Sequence, residues 1–415
     1  MDVVVERCAG LDVHRDNVVA TVRVPRADRR RWVQHTKTFA TTLAGLAALR
    51  EWLAGFSVTL VGMEATGVYW KTVFQALEER FECWLLNAQH LRNVPGRKTD
   101  VKDLEWICQL VQHGLVRPSF VPPPEIRRLR DLTRLRKAQV NERTRAIQRL
   151  EKVLQDAGIK LTSVASQTYS KSARAMLEAL LSGVTDPEAL AQLTKARMRS
   201  KIPQLREALA NRFDVAHHGI LVAQLLAHID TLDAAIVTLD ERIAMMLAPH
   251  QQVVELLCTI PGVAVCSAQV MIAECGLDMT RFPTVGHFAS WAGMCRGHHE
   301  SAGRRRSGRT RPGPRWLTEA LTESAKAAAR TKGTYLAAHH AQLRGRRGEA
   351  KAIGASRHDI LVAYFHIVRD RVPFRELGPD WQRKRYSPEH RARRLQRQLE
   401  ALGYEVTLSE APAAA

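Results

Sequence analysis

At 415 residues, with 45% hydrophobic and 25% charged content, the chain is a globular protein of two or three cores rather than a fibrous or disordered one. Its 62 Lys and Arg against 42 Asp and Glu leave a net charge of +20, which calls for a polyanionic partner, because each cation set on a phosphate releases condensed counterions. No apolar run is expected to span a membrane, the opening "MDVVVERCAGLDV" is too short and too acidic for a signal peptide, and a cytoplasmic, nucleoid-associated location is expected.

Residues 1–120 alternate strands with helices. "CAGLDV", "NVVATVRV" and "RWVQHTKTF" predict three strands, and "LAGLAALREWLAGF" predicts an amphipathic helix. Strand "SVTLVGME", helix "VYWKTVFQALEER", strand "FECWLLN" and helix "DVKDLEWICQLVQHG" follow. Interleaved elements of this kind give an α/β layer fold. The proline run "VPPPE" (121–125) marks a boundary, after which no strand is expected until the last few residues.

Residues 121–250 read as a helical region with a helical insert at 160–215. A long basic helix occupies 125–158. Val222, Leu225, Ile229, Leu232, Ile236, Leu239, Ile243 and Met246 then form a heptad seam, with β-branched residues at a and Leu at d until Met246. That helix either packs antiparallel on the 125–158 helix or pairs with a second copy, and both can hold together. From 251 to 375 a third, helical region opens with two helices joined by "IPGV". The joint is either a helix-hairpin-helix turn offering amides to DNA phosphate or a plain helical corner. Residues 376–415 are a basic tail. The seven cysteines form no CxxC pair and read as a reduced, intracellular set. The fold class is therefore α/β plus all-α.

Asp12 and Glu64 close two apolar strands, and strand ends of α/β sheets are where ligand and metal sites lie. Either acid alone reads as an exposed strand end. Asp100 and Asp103 sit three apart at a helix start, where they would also complement the helix dipole. Four acids gathered in one domain of a basic protein point to a Mg²⁺ site, since hard cations take oxygen ligands.

In chain order, "GLDVHRD", "MEATGVYW", "GRKTDVKD", "IPGV", "FASWAGM", "ESAGRRRSGRTR", "TKGTYL" and the terminal "ALGYEVTL" resemble the IS110-family transposases essentially from end to end. The resemblance implies a RuvC-like, RNase H-fold N-terminal domain whose Asp-Glu-Asp-Asp set, here Asp12, Glu64, Asp100 and Asp103, binds Mg²⁺. It implies a central dimerising coiled coil and a C-terminal transposase domain whose nucleophile is Ser301 of "ESAG", not Ser307. It also implies a bridge-type guide RNA that pairs with donor and target double-stranded DNA. Homo-oligomers are implied too, a dimer and on DNA a tetramer, with active sites composed from different subunits. The sequence departs from the family at Ala264, where many relatives put a second glycine, and at Pro312 and Pro314.

A serine hydroxyl needs activation to attack a phosphodiester, and the charge that builds on the phosphate oxygens needs fixed cations. Arg304, Arg305, Arg306, Arg309 and Arg311 supply guanidinium groups that match phosphate bidentately. By composition alone the stretch reads as a mobile arginine loop gripping DNA with an incidental serine; the family motif makes Ser301 the nucleophile. His298 and His299 read as phosphate-side or exposed groups. The expected reaction is strand transesterification through a phosphoserine. Two other readings stand beside it: a metal-dependent Holliday-junction nuclease in which water attacks, and a non-catalytic nucleic-acid-binding assembly factor.

Overall fold

The computed structural model describes residues 3–26, 32–65, 67–87, 103–164, 169–295, 299–301, 303–307, 310–381 and 388–409. It divides between Pro122 and Pro123 into two compact units.

The first unit carries β1 (Cys8–Val13), β2 (Asn17–Pro25), β3 (Trp32–Ala40), α1 (Leu43–Gly55), β4 (Leu60–Glu64), α2 (Trp70–Leu77), β5 (Glu82–Leu86) and α3 (Asp103–Gln112). The sheet order is β3-β2-β1-β4-β5. β1 is antiparallel to β2, and β2 to β3, while β1–β4 and β4–β5 run parallel. Alternation in β1 and β4 sends Ala9, Leu11, Val61 and Met63 into one core and Cys8 and Leu60 into another on the opposite face. The second core is completed by Ile107, Cys108 and Val111 of α3. α3 is also strapped to the sheet by Arg23, which donates to Gln112 Oε1 at 2.7 Å, and by the Cys108 thiol, 3.1 Å from Thr21 O.

Among the described residues the second unit is helical apart from one small hairpin: α4 (Pro124–Asp156), α5 (Lys171–Leu181), α6 (Pro187–Gln192), α7 (Ile202–Ala208), α8 (Ile220–Leu247), α9 (Gln251–Cys258), α10 (Val265–Cys275) and α11 (Val285–Trp291), then β6 (His299–Ser301) and β7 (Arg304–Ser307), then α12 (Arg315–Arg330), α13 (Tyr335–Arg347), α14 (Glu349–Asp370) and α15 (Pro388–Glu400). Pro124 opens α4 at a position where the missing amide costs no helical bond. α4 and α8 pack antiparallel within the chain. Near the start of α4, Ile126 and Leu129 share a core with Ile243 and Leu247. Near its end, Ala146, Leu150 and Leu154 share another with Val222, Leu226 and Ile229. The heptad reading is thus shifted by one residue at each end, to Leu226 and Leu247, while Leu225, Ile236, Leu239 and Met246 are half-buried.

Two expectations are corrected. The segment Val215–Cys258 contains an 18-residue stretch of mean hydropathy 1.7, long and apolar enough to cross a membrane by length and composition. The acids of α8 are too sparse to interrupt it, and its apolar stripe and its aspartates are used on α4: Asp240 takes Arg136 at 2.7 Å and Asp233 takes Arg143 at 2.6 Å. The strand-free stretch expected after residue 125 is broken by β6–β7, and residues 404–409 are not a strand. A hairpin of serine and arginine has no apolar alternation to announce it.

The basic α4 spends several arginines inside the protein. Arg134 grips Glu274 of α10 bidentately at 2.8 and 2.9 Å, and Arg130 donates to the Ala273 and Glu274 carbonyls at 3.0 and 2.8 Å. Burial lowers the Arg130 pKa and Glu274 opposes it. Glu274 is itself 1% exposed, so Glu274→Ala strands two partly buried cations. The variant is expected to lose about 3 kcal/mol in urea unfolding. Arg136, 4% exposed, donates from Nη1 to both Asp240 and Gln269.

Candidate functional site

The acids come together through the sheet register. Leu11 pairs with Met63, so Asp12 and Glu64, one residue further on, stand side by side, Asp12 one residue short of the end of β1 and Glu64 at the end of the parallel β4. Side chains alternate, which puts both on the face of Gly10 and Gly62, the face covered by α3. The two glycines are there for close approach. A methyl on Gly10 would lie 2.9 Å from the Leu104 carbonyl oxygen, and one on Gly62 would lie 2.6 Å from Val111 Cγ2. α3 can therefore sit low on the strands, and its first residue, Asp103, arrives on the Asp12 side of the sheet because Leu104 already abuts Gly10. Asp100 lies outside the described residues.

The Asp12 side chain is 40% exposed and lies 3.2 Å from His14 Nε2. Glu64 is half-buried and ends β4 beside Leu86 of β5. Two carboxylates on one sheet face, at the rim rather than in the core, fit a hard divalent cation, and no apolar packing has to be given up for it.

A second group of potential ligands, Asp156, His217 and His218, was not anticipated. His218 Nδ1 accepts the Asp214 amide at 3.0 Å, so the ring proton of the neutral imidazole lies on Nε2, 3.2 Å from Asp156 Oδ2. Neither nitrogen of His218 then offers a lone pair to a metal. The cluster ties the start of α8 to the end of α4 and is structural.

In the second unit, Ser301 occupies the tip of the β6–β7 hairpin. Its backbone partner across the turn is Arg304, with Glu300 opposite Arg305 and His299 opposite Ser307, and the register slips between His299 and Glu300. Gly303 turns the chain with φ +71°. The serine and the arginine run are thus two sides of one ribbon, which places guanidinium-bearing positions beside the hydroxyl-bearing one. Arg304 is exposed. Arg305 and Arg306 hold strand positions in β7, and Arg309 and His298 lie outside the described residues. Arg311, past the hairpin, is exposed and donates to Ser290 Oγ at 2.6 Å. The "IPGV" turn faces protein: a methyl on Gly262 would strike the α12 backbone, 2.3 Å from Ala328 N. That geometry supports the helical-corner reading.

A family model for the DEDD domain of IS110 elements, described as "Transposase", matches residues 9–159. A second, described as "Transposase IS116/IS110/IS902 family", matches residues 254–341. Together the two matches take in more than half of the chain, the first across both strand-end acids and the second across the whole hairpin. A search of curated proteins finds no match.

Proposed function

The chain belongs to the IS110 family of transposases and acts on DNA, and from that premise we propose that it cuts and rejoins DNA strands through a covalent Ser301 intermediate, choosing its sites by a bridge-type guide RNA. The observation that carries the reading is the hairpin: the one serine of "ESAG" stands directly across from Arg304 at the tip of an arginine ribbon. In the proposed reaction Ser301 Oγ attacks the phosphorus and gives up its proton. The bond from phosphorus to one bridging oxygen breaks, and that oxygen leaves as a hydroxyl. A hydroxyl of the second DNA then attacks the phosphoserine, and Oγ departs and regains its proton. The arginines of the ribbon hold the phosphate oxygens as their charge grows. Asp12, Glu64, Asp100 and Asp103 would hold Mg²⁺, which when bound supplies Lewis-acid stabilisation of phosphate-oxygen charge.

The partners of this reading are donor and target double-stranded DNA, the guide RNA and further copies of the chain. A +20 surplus suits the nucleic acids. Leu135, Val237 and Met245 remain 49, 55 and 60% exposed on α4 and α8, which supports dimerisation through this helix pair. The test is a covalent-trapping assay with the full chain, its flanking RNA, Mg²⁺ and labelled junction DNA on a denaturing gel. An adduct that needs both RNA and Mg²⁺ is expected. Cleaved DNA without an adduct would instead favour the nuclease in which water attacks.

A further inference from the structure

An open cavity of about 800 Å³ lies where the loop Thr310–Gly313 meets the start of α12 and the middle of α14. Arg311, Arg315 and Arg357 line it, and among its lining residues they face one carboxylate, Glu319. Arg315 already holds that carboxylate, its Nε donating at 3.0 Å. The cations outnumber the acid three to one, and the wall is short of negative charge.

Arg357 is the least satisfied of the three. It is half-buried on α14, its Nη1 reaches Thr322 Oγ1 only at 3.3 Å, and its buried Nε has no hydrogen-bond partner among the described residues. Burial lowers its pKa from the ordinary arginine value. A guanidinium stripped of part of its water and left under-partnered is stabilised by an oxyanion that takes its donors in pairs. The N-cap of α12 beside it is Pro314, whose side chain gives the first-turn amides no acceptor.

The cavity sits at the foot of the serine hairpin. The chain approaches β6 through Gly293 and Met294 and leaves β7 through Thr310–Gly313, and both stretches line the cavity. They are pressed backbone to backbone. A methyl on Gly313 would fall 2.1 Å from the Ala292 carbonyl oxygen, and one on Gly293 would fall 2.6 Å from Gly313 N. No side chain fits between them, so the stalk of the hairpin is pinned in a fixed relation to Arg357 and Arg315.

We propose that this cavity seats a backbone phosphate of the DNA strand lying along the β6–β7 hairpin, with Arg357 and Arg315 donating to it beside Arg311. This rests on the transposase reading and adds two phosphate ligands, Arg315 and Arg357, from outside the arginine run. Arg357 and Arg315 come from helices, so they hold the strand on a rigid wall. The ribbon can then meet the scissile phosphate next to the one already anchored.

The test is binding of a fluorescent DNA duplex to the full chain with its RNA, followed by anisotropy between 50 and 200 mM KCl. Arg357→Gln is expected to raise Kd about tenfold at the upper salt and to reduce the slope of log K against log salt by about one. Arg357→Lys keeps the charge and should keep the slope while losing part of the affinity. Arg206→Gln, on α7 where Arg206 pairs with Glu188, controls for loss of one charge, and melting curves control for folding. Unchanged binding by Arg357→Gln, or an equal loss in Arg206→Gln, would overturn the proposal. Wild-type chain that binds no DNA would sink the transposase reading itself, and the cavity proposal with it. Wild type that binds DNA but forms no serine adduct would end the serine chemistry and leave the Arg357 comparison decisive.

Discussion

Ser301→Ala is expected to bind DNA as the wild type does and to form no covalent adduct, with strand exchange reduced on the order of 10⁴-fold or more. The substitution deletes one oxygen. Ser301 holds its place in β6 by backbone pairing with Arg304, which alanine keeps, so the ribbon and its cations stay where they are. In the proposed reaction, what disappears is the atom that holds the phosphate between cleavage and rejoining. Ser307 is the internal control. It lies at the other end of the ribbon, opposite His299, beyond the irregular step in the register. Ser307→Ala should therefore retain the adduct. An adduct persisting in Ser301→Ala, or vanishing in Ser307→Ala while surviving in Ser301→Ala, would remove Ser301 from the mechanism.

The strands of the first unit were legible as short apolar runs, because β1 and β4 are buried on both faces. Cys8, Gly10 and Asp12 share one face and Ala9, Leu11 and Val13 the other, and the same period runs through Leu60, Gly62 and Glu64. From that pattern the ends of two strands, and the acids on them, could be named without a structure. Register could not: that Leu11 pairs with Met63 is a long-range fact, and only it makes Asp12 and Glu64 neighbours. Gly10 and Gly62 passed unnoticed for a related reason, since a glycine in a strand signals close approach only once α3 is seen above it. The hairpin stayed hidden because its serine and arginines show no apolar alternation. Arg357 gave no signal at all. It lies in an unremarkable helix 56 positions after Ser301, and what singles it out, a buried Nε with no partner among the described residues, is nothing a sequence displays. The arginines of α4 add to the positive surplus of the sequence, yet Arg130, Arg134 and Arg136 are taken up by Glu274, Asp240 and backbone carbonyls.

Asp12→Asn separates a metal-bearing acid from a strand-end acid that merely decorates the sheet. Asparagine matches the shape of aspartate, and the Asp12 side chain sits 40% exposed at the rim, outside both apolar cores. Stability without metal should therefore change by no more than about 0.5 kcal/mol. Activity should not survive so well. One anionic ligand fewer weakens a hard cation's hold and the stabilisation it gives to phosphate oxygens, and cleavage is expected to fall on the order of 10³-fold. A second readout bears on the metal itself. A cation that binds only the folded chain raises the melting temperature with its concentration, so wild type should gain stability as Mg²⁺ is titrated and Asp12→Asn should gain less. Gly10→Val makes the complementary case. Its added carbons meet the Leu104 carbonyl and the Cys108 sulfur, so α3 and Asp103 must move off the strands while Asp12 and Glu64 remain in place. If the acids form one site, Gly10→Val should blunt the Mg²⁺ response as Asp12→Asn does, though at a cost in stability that the asparagine variant does not show. An Asp12→Asn protein with full cleavage and an unaltered Mg²⁺ response would mean that the strand ends hold no metal, and the catalytic reading of the first unit would fall.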